Sequence, residues 1–275
     1  NALFADAEGT LDKAWLESSG VDPERYIHSL CDYGEQYIDV ADYALRADDC
    51  GLVVIDSLAS LTPAAEIESL AEKSLIGNQP KLIGTGVRKL KQRLIRERKH
   101  GKPCTVVFTN QLRKIIGQQM GSPDTMSGGE AMKHEFSLLI RCRRKALKSS
   151  QEEATDKKYI DTERNIDMAQ RHSFQIVKNK VMTLMGAGEY VRVLEDIPDL
   201  NLKAASVDDR ASVLKYAQQY GVITGDSKAG YYYRGEKWKK QKELLNKIEG
   251  SAEAWEELKQ EVVNAVKSWV TNKEG

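Results

Sequence analysis

The run Leu52-Val-Val-Ile-Asp56 most narrows what this chain can fold into. It is continuously apolar, lacks the in–out alternation of a half-solvated strand, and ends in a carboxylate. Such a run suits a strand covered on both faces, as in a parallel sheet. Ala2-Leu-Phe-Ala-Asp6 and Thr105-Val-Val-Phe-Thr-Asn110 have the same form. Between them the apolar residues take helical spacing. Residues 10–19 carry Trp15 and Leu16 and close at Gly20; residues 35–47 carry Tyr37, Ile38, Ala41, Ala44 and Leu45. Residues 81–100 carry a stripe of Leu82, Ile83, Val87, Leu90, Leu94 and Ile95, ended by Gly101-Lys-Pro103. Strands alternating with helices predict an α/β domain on a mostly parallel sheet, with room for an antiparallel edge.

Residues 112–130 hold five glycines or prolines and no periodicity, which predicts a long loop, functional or disordered. A strand is expected at 136–144, an exposed, mobile insertion at 145–172, and two strands at Ser173–Val181 and Glu189–Leu194. The pattern then shifts. A helix at 207–220, a hairpin around Gly225–Gly230, and helices at Lys237–Ile248 and Ala252–Val270 predict a small α+β C-terminal domain. A length of 275 residues accommodates one large and one smaller domain.

The formal net charge of zero hides a strong asymmetry. Residues 1–80 hold 4 Lys/Arg and 16 Asp/Glu, whereas residues 81–118 hold 11 Lys/Arg and one acid, Glu97. Arg88, Lys89, Lys91, Arg93, Arg96, Arg98, Lys99 and Lys102 crowd together. They read either as a solvated helix face or as a surface for a polyanion. No apolar run reaches the roughly 18–20 residues that span a bilayer, which argues against a membrane protein. Cys31, Cys50, Cys104 and Cys142 lie far apart with no CxxC pair, and no signal peptide is visible. Reduced thiols in a cytoplasmic protein are the expectation.

Several residues could carry chemistry. Asp56, followed by Ser57, sits where the carboxyl ends of parallel strands bind ligands, and could serve Mg²⁺ or cap a helix. Glu8 could orient or deprotonate a water, or be a loop acid facing solvent. Asn110-Gln111 could contact a phosphate or form a polar turn. Arg113 and Lys114 open the glycine-rich loop and could grip phosphates. Lys178 and Lys180 share one strand face, suiting a bound phosphate or a lysine-protected edge. The four histidines show no metal-ligand spacing. Tyr231–Tyr233 could stack on a base, although hairpin packing against helices is the simpler reading.

Together these pieces resemble RecA-type recombinases. Asp6-Ala-Glu-Gly-Thr-Leu-Asp12 is similar to that family's acid-bearing strand end. Val53-Val-Ile-Asp-Ser-Leu-Ala-Ser-Leu-Thr-Pro-Ala-Ala-Glu-Ile-Glu68 resembles its Walker B strand and the entry to its first DNA-binding loop. Thr109-Asn-Gln-Leu-Arg-Lys-Ile-Ile-Gly117, with Gly121-Ser-Pro-Asp-Thr-Met-Ser-Gly-Gly-Glu-Ala-Met-Lys133, resembles the second loop. Ile176-Val-Lys-Asn-Lys180 and Tyr232-Tyr-Arg-Gly-Glu-Lys237 match as well, so the likeness runs along nearly the whole chain.

The resemblance implies a RecA-like ATPase core over residues 1–200, lacking its N-terminal part, and a small α+β domain over 201–275. It implies ATP and Mg²⁺ as cofactors, single- and double-stranded DNA as partners, and a homo-oligomeric helical filament that exchanges strands in recombination and repair. Glu8 would activate the hydrolytic water and Gln111 would sense the γ-phosphate. Asp56 and Ser57 would serve Mg²⁺, Asp56 through water, while Asp12 and Trp15 would hold the adenine. Lys133, Lys178 and Lys180 would reach a neighbouring subunit's ATP, as an arginine finger does. Lys81, Arg88, Arg113, Gly128 and Gly129 would contact the DNA backbone, and Ile76 would wedge between base triplets. The phosphate-binding GxxxxGK[ST] loop is absent, and in this family it precedes the strand on which this chain begins. The chain therefore reads as the C-terminal portion of a longer recombinase, bacterial or phage-like, with doubtful activity alone. His134 and Met120 stand where aromatic residues are usual. Two alternatives are a non-catalytic DNA-binding or filament-modulating fragment, and a RecA-core ATPase of another role, such as a helicase.

Overall fold

The computed structural model describes residues 1–68, 77–114, 124–126, 130–145, 159–181, 186–249 and 251–274. The chain divides into two compact units, residues 1–139 with 177–184, and residues 140–176 with 185–275.

The first unit is built on strands β1 (Ala2–Asp6), β2 (Tyr26–Ser29), β3 (Leu52–Asp56) and β4 (Thr105–Phe108), in the order β2-β1-β3-β4 and all parallel. The connections run through helices α1 (Lys13–Ser18), α2 (Gly34–Ala44), the single turn α3 (Ala64–Ile67) and α4 (Asn78–Lys99). Parallel strands need such crossovers, which is why the apolar runs alternate with helical spacing. Leu3, Ala5, Val53 and Ile55 point to one side of the sheet. They pack with Tyr37, Ile38, Ala41 and Leu45 around α2, and with Ile83, Val87 and Leu90 of α4. Each fully buried Leu or Ile here contributes about 1.5–3 kcal/mol. Ile95, expected in this stripe, is 42% exposed instead. Close packing of α2 on α4 requires Gly86: a Cβ there would stand 2.7 Å from Ile38 Cδ1.

The acidic and basic lobes meet across this helix pair. Lys89 pairs with Asp39, and Lys102 with Asp48. Arg93 reaches buried Asp42 through Nε at 2.8 Å, and Glu97 at 3.4 Å; Arg46 also contacts Asp42. Burial pushes the Asp42 carboxyl up, but Arg93 and Arg46 outweigh it and hold it below the ordinary carboxylate range. Four of the eight clustered cations (Lys89, Lys91, Arg93 and Lys102) are thus spent on acids, Lys91 on Glu135. Arg88, Arg96, Arg98 and Lys99 stay exposed; Arg88 lies near enough to Glu135 to lower its pKa, second to Lys91, and the other three form no ion pair among the described residues.

The loop expected over 112–130 contains an antiparallel ladder. Strand β5 (Leu112–Lys114) pairs with β6 (Asp124–Met126), Arg113 opposite Thr125.

A second sheet, most of whose residues belong to the second unit, is formed by β7 (Leu138–Lys145), β10 (Ala169–Asn179), β11 (Ala187–Val193) and β12 (Val207–Asp208) in the order β12-β11-β10-β7. The pairs β10–β11 and β11–β12 are antiparallel. Of the insertion expected to be exposed over 145–172, residues 162–165 and 167 are exposed, but Tyr159 and Ala169 are buried. Tyr159 is 4% exposed and its hydroxyl donates to Asp208 Oδ2 at 2.7 Å. A small hairpin, β8 (Ile160–Asp161) with β9 (Ile166–Asp167), follows, and β10 already begins at buried Ala169. The polar composition of this stretch concealed one buried anchor.

Helix α5 (Arg210–Gln219) leads to β13 (Thr224–Asp226), β14 (Gly230–Tyr233) and β15 (Glu236–Trp238), then α6 (Gln241–Glu249) and α7 (Ala252–Glu274). A helix was expected from Lys237. The turn at Gly235, with φ +80°, instead folds residues 236–238 back as a third strand, and the helix starts at Gln241. Ala217, Ile223, Leu244, Ile248, Leu258 and Val262 form an apolar core here, with Tyr231 and Tyr233 packed against it. No described helix is long and apolar enough to cross a membrane.

Candidate functional site

The carboxyl ends of β1, β3 and β4 lie side by side, with Asp6 in register with Asp56. The three polar strand ends read from the sequence therefore converge. Beyond β1 the chain turns through Gly9, whose φ of +68° favours glycine. Ala7 and Glu8 donate their backbone N–H groups to the Asp56 carbonyl at 2.7 and 3.1 Å. Beyond β3, across a cis Asp56–Ser57 peptide bond, buried Ser57 donates its hydroxyl to Glu8 Oε1 at 2.7 Å. Gln111 Nε2, just beyond β4, donates to the same oxygen at 3.4 Å, and Ser60 Oγ lies 3.5 Å from it. Glu8 Oε2 accepts no hydrogen bond among the described residues, and Glu8 is exposed. Thr109 donates its hydroxyl to the Asp56 carboxylate. One carboxylate is thus gripped by one oxygen with its other oxygen open, beside a second carboxylate at the next strand end.

Asp12 caps α1, accepting from the Trp15 N–H at 3.1 Å, so both stand on the element that follows the Glu8 turn. Lys178 and Lys180 form a second group with Lys133. The Lys178 ammonium donates to the Lys133 carbonyl, and that of Lys180 to the His134 carbonyl at 2.7 Å. Burial, then the neighbouring Lys180 charge, pushes the Lys178 ammonium below its ordinary pKa. Among the described residues, neither Lys178 nor Lys180 makes a hydrogen bond or ion pair with Glu8 or Asp56.

Lys81 and Arg88 are exposed on α4, and the Arg113 backbone lies in β5. Ile76, Gly128 and Gly129 lie outside the described residues.

Two features escaped the sequence reading. Asp6 looked like one more strand-end acid, yet it is 2% exposed and bonded into the turn that carries Glu8. The second unit also holds a groove of about 770 Å³, lined by Arg141, Arg143, Lys145, Arg171, Glu189 and Lys215 among others. The i, i+2 spacing of Arg141, Arg143 and Lys145 along one strand face was the available signal.

Residues 1–189 match the RecA N-terminal domain family. Protein RecA of Corynebacterium urealyticum is 32% identical over 270 residues, covering 97% of this chain and 64% of that protein. Protein RecA of Saccharopolyspora erythraea is 31% identical over 248 residues, covering 90% and 63%. Protein RecA of Prochlorococcus marinus (strain AS9601) is 41% identical over 154 residues, covering 55% and 40%. The chain therefore spans less than two thirds of the length of these relatives. With the matched domain, the identities and the parallel sheet in agreement, the chain belongs to the RecA family.

Proposed function

We propose that the chain is part of a DNA-dependent ATPase of recombination and repair, which forms filaments on single-stranded DNA and exchanges strands. The observation that carries this reading is the Glu8 carboxylate, held through Oε1 by Ser57 and Gln111 with Oε2 open. A base needs one anchored and one accessible oxygen to take a proton from water in a fixed direction. The donors around it, Asp56, Ser57 and Glu8, are hard oxygens, which suit Mg²⁺ rather than a softer metal. Asp56 would hold Mg²⁺ through water, with Thr109 fixing its carboxylate. Bound with Mg²⁺, ATP supplies a terminal phosphoryl group open to attack by water.

The chain's own residues supply the rest. Glu8 accepts the water proton at Oε2. Gln111 ties Glu8 to the start of β5, so a change at the phosphate side reaches the segment assigned to DNA. Asp12 and Trp15 hold the base. Lys133, Lys178 and Lys180 provide positive charge to a neighbour's nucleotide, which gives hydrolysis a reason to require a filament. Exposed Lys81 and Arg88, with Arg113, Gly128 and Gly129, contact DNA phosphates, and Ile76 separates bases. Binding of this kind weakens steeply with salt. Residues 1–200 act as the core and 201–275 as an accessory domain with its own apolar centre; the setting is the cytoplasm.

The test is ATP hydrolysis by the complete protein with and without single-stranded DNA. Glu8→Gln is expected to keep DNA binding and lose turnover. Turnover equal to wild type would overturn the assigned role.

A further inference from the structure

The turn that carries Glu8 is not held by Glu8 itself. The chain reverses between β1 and α1, and its backbone N–H groups converge on one side chain. Gly9 and Thr10 donate to Asp6 Oδ1 at 2.8 and 3.3 Å, and Leu11 donates to Asp6 Oδ2 at 3.0 Å. His28 Nε2 lies 3.2 Å from Oδ2, from the neighbouring strand β2. Beneath them, the Tyr37 hydroxyl donates to the Asp6 carbonyl at 3.0 Å. Asp6 is 2% exposed, so this carboxylate faces no solvent and has no surface role.

A buried carboxylate is costly unless its oxygens are satisfied, and here backbone groups of a single turn do most of that work. Burial pushes the carboxyl up, but the Leu11 N–H, His28 and the Thr10 and Gly9 N–H groups together hold it below the ordinary carboxylate range. The donors are residues 9, 10 and 11, immediately after Glu8. On its other side, the Glu8 N–H is fixed to the Asp56 carbonyl. Glu8 is therefore bracketed by a buried anion on one flank and a strand-end carbonyl on the other. Its exposed side chain gains direction from a backbone that cannot swing.

We propose that Asp6 is a positioning residue for Glu8, setting the direction of its open carboxylate oxygen by clamping residues 9–11. The inference rests on the general-base reading of Glu8. Displacing a reacting group by about 1 Å can lower a rate by about 100-fold.

The experiment compares Asp6→Asn, Glu8→Gln and the double variant in the complete protein. ATP turnover is measured with saturating single-stranded DNA, and amide hydrogen exchange is followed in parallel. Asn keeps the size of Asp but turns an NH₂ group toward one set of donors. Asp6→Asn is expected to lower kcat about 10–100-fold, with KM for ATP and DNA affinity within about twofold of wild type. Exchange should quicken at Gly9, Thr10 and Leu11 while Val53 and Ile55 stay protected. On the Glu8→Gln background, Asp6→Asn should remove less than a further twofold.

A tenfold further loss in the double variant would overturn the inference, because Asp6 would then act independently of Glu8. A fall in kcat with unchanged exchange at Gly9, Thr10 and Leu11 would also overturn it, because the turn would then not be what Asp6 holds. Full turnover by Glu8→Gln would instead strike the general-base reading itself, a distinct failure that removes this inference with it. Should Asp6→Asn not fold, His28→Leu removes one contact only. A roughly twofold to fivefold fall in kcat at unchanged KM is then expected, and an unchanged kcat would overturn the inference.

Discussion

Replacing Arg93 with Met tests the charge pairing between α2 and α4. Arg93 donates to Asp42 from Nε at 2.8 Å and from a terminal nitrogen at 3.4 Å, and to Glu97 at 3.4 Å. Asp42 is 3% exposed and Glu97 is 8% exposed, so both carboxylates would lose a guanidinium they cannot replace with water. Removing one partner of a buried pair costs about 3–5 kcal/mol. Arg46 remains on Asp42 but is half exposed, and the Arg93 side chain is itself 17% exposed. The low end, about 3 kcal/mol, is therefore expected. For a unit of this size that lowers the melting temperature by roughly 6–12 °C, read by calorimetry. The double variant Asp42→Leu/Arg93→Met removes the Asp42 charge but leaves Glu97 without Arg93, so it should recover only part of the loss, about 1–2 kcal/mol.

The pH dependence has a definite sign. Asp42 sits below its ordinary value of 3.8 in the folded state, so its stabilisation is complete above pH 3.8. It fades as pH falls through the lower folded value, and the gap between wild type and Arg93→Met should narrow there. A single-variant loss under about 1 kcal/mol, or a double variant as unstable as the sum of the singles, would refute the reasoning.

Other expectations follow from particular contacts. Gly86→Ala places a methyl group 2.7 Å from Ile38 Cδ1 and should destabilise the first unit by about 1–3 kcal/mol in urea unfolding, with Gly86→Ala/Ile38→Val partly restored. Tyr159→Phe removes the donor to buried Asp208 and should cost about 1–3 kcal/mol, seen as faster amide exchange around β8 and β12. Lys178→Ala should lower ATP hydrolysis only under conditions that form filaments. A defect in nucleotide binding by monomers would contradict its role in trans.

The parallel sheet was legible because each strand is a short apolar run with a polar end, and burial on the sheet demands that pattern. The convergence of Glu8, Ser57 and Gln111 followed from knowing that three such ends share one edge. The electrostatics were less legible. Asp42 and Arg93 are 51 residues apart, and nothing local marks them as partners, so paired cations of α4 looked like free surface. Residues 159–168 looked mobile because one buried tyrosine outweighs a polar neighbourhood only once Asp208 is placed beside it. Asp6 was underrated for a similar reason: a strand-end acid declares its type but not which backbone groups it will collect.

The register Asp6↔Asp56 makes the hydrophobic core a ruler for the site. Val53 and Ile55 fix how far β3 slides along β1, and that displacement helps decide where Ser57 meets Glu8. A slip of one residue would turn Val53 and Ile55 outward and carry Ser57 about 3.3 Å along the strand axis, beyond reach of the carboxylate. Changes of volume at these buried positions should therefore register first as altered turnover, before they register as lost stability. Tolerance to substitution in this sheet would be set by alignment of the strand ends, so a survey of viable core variants would trace the site from the inside.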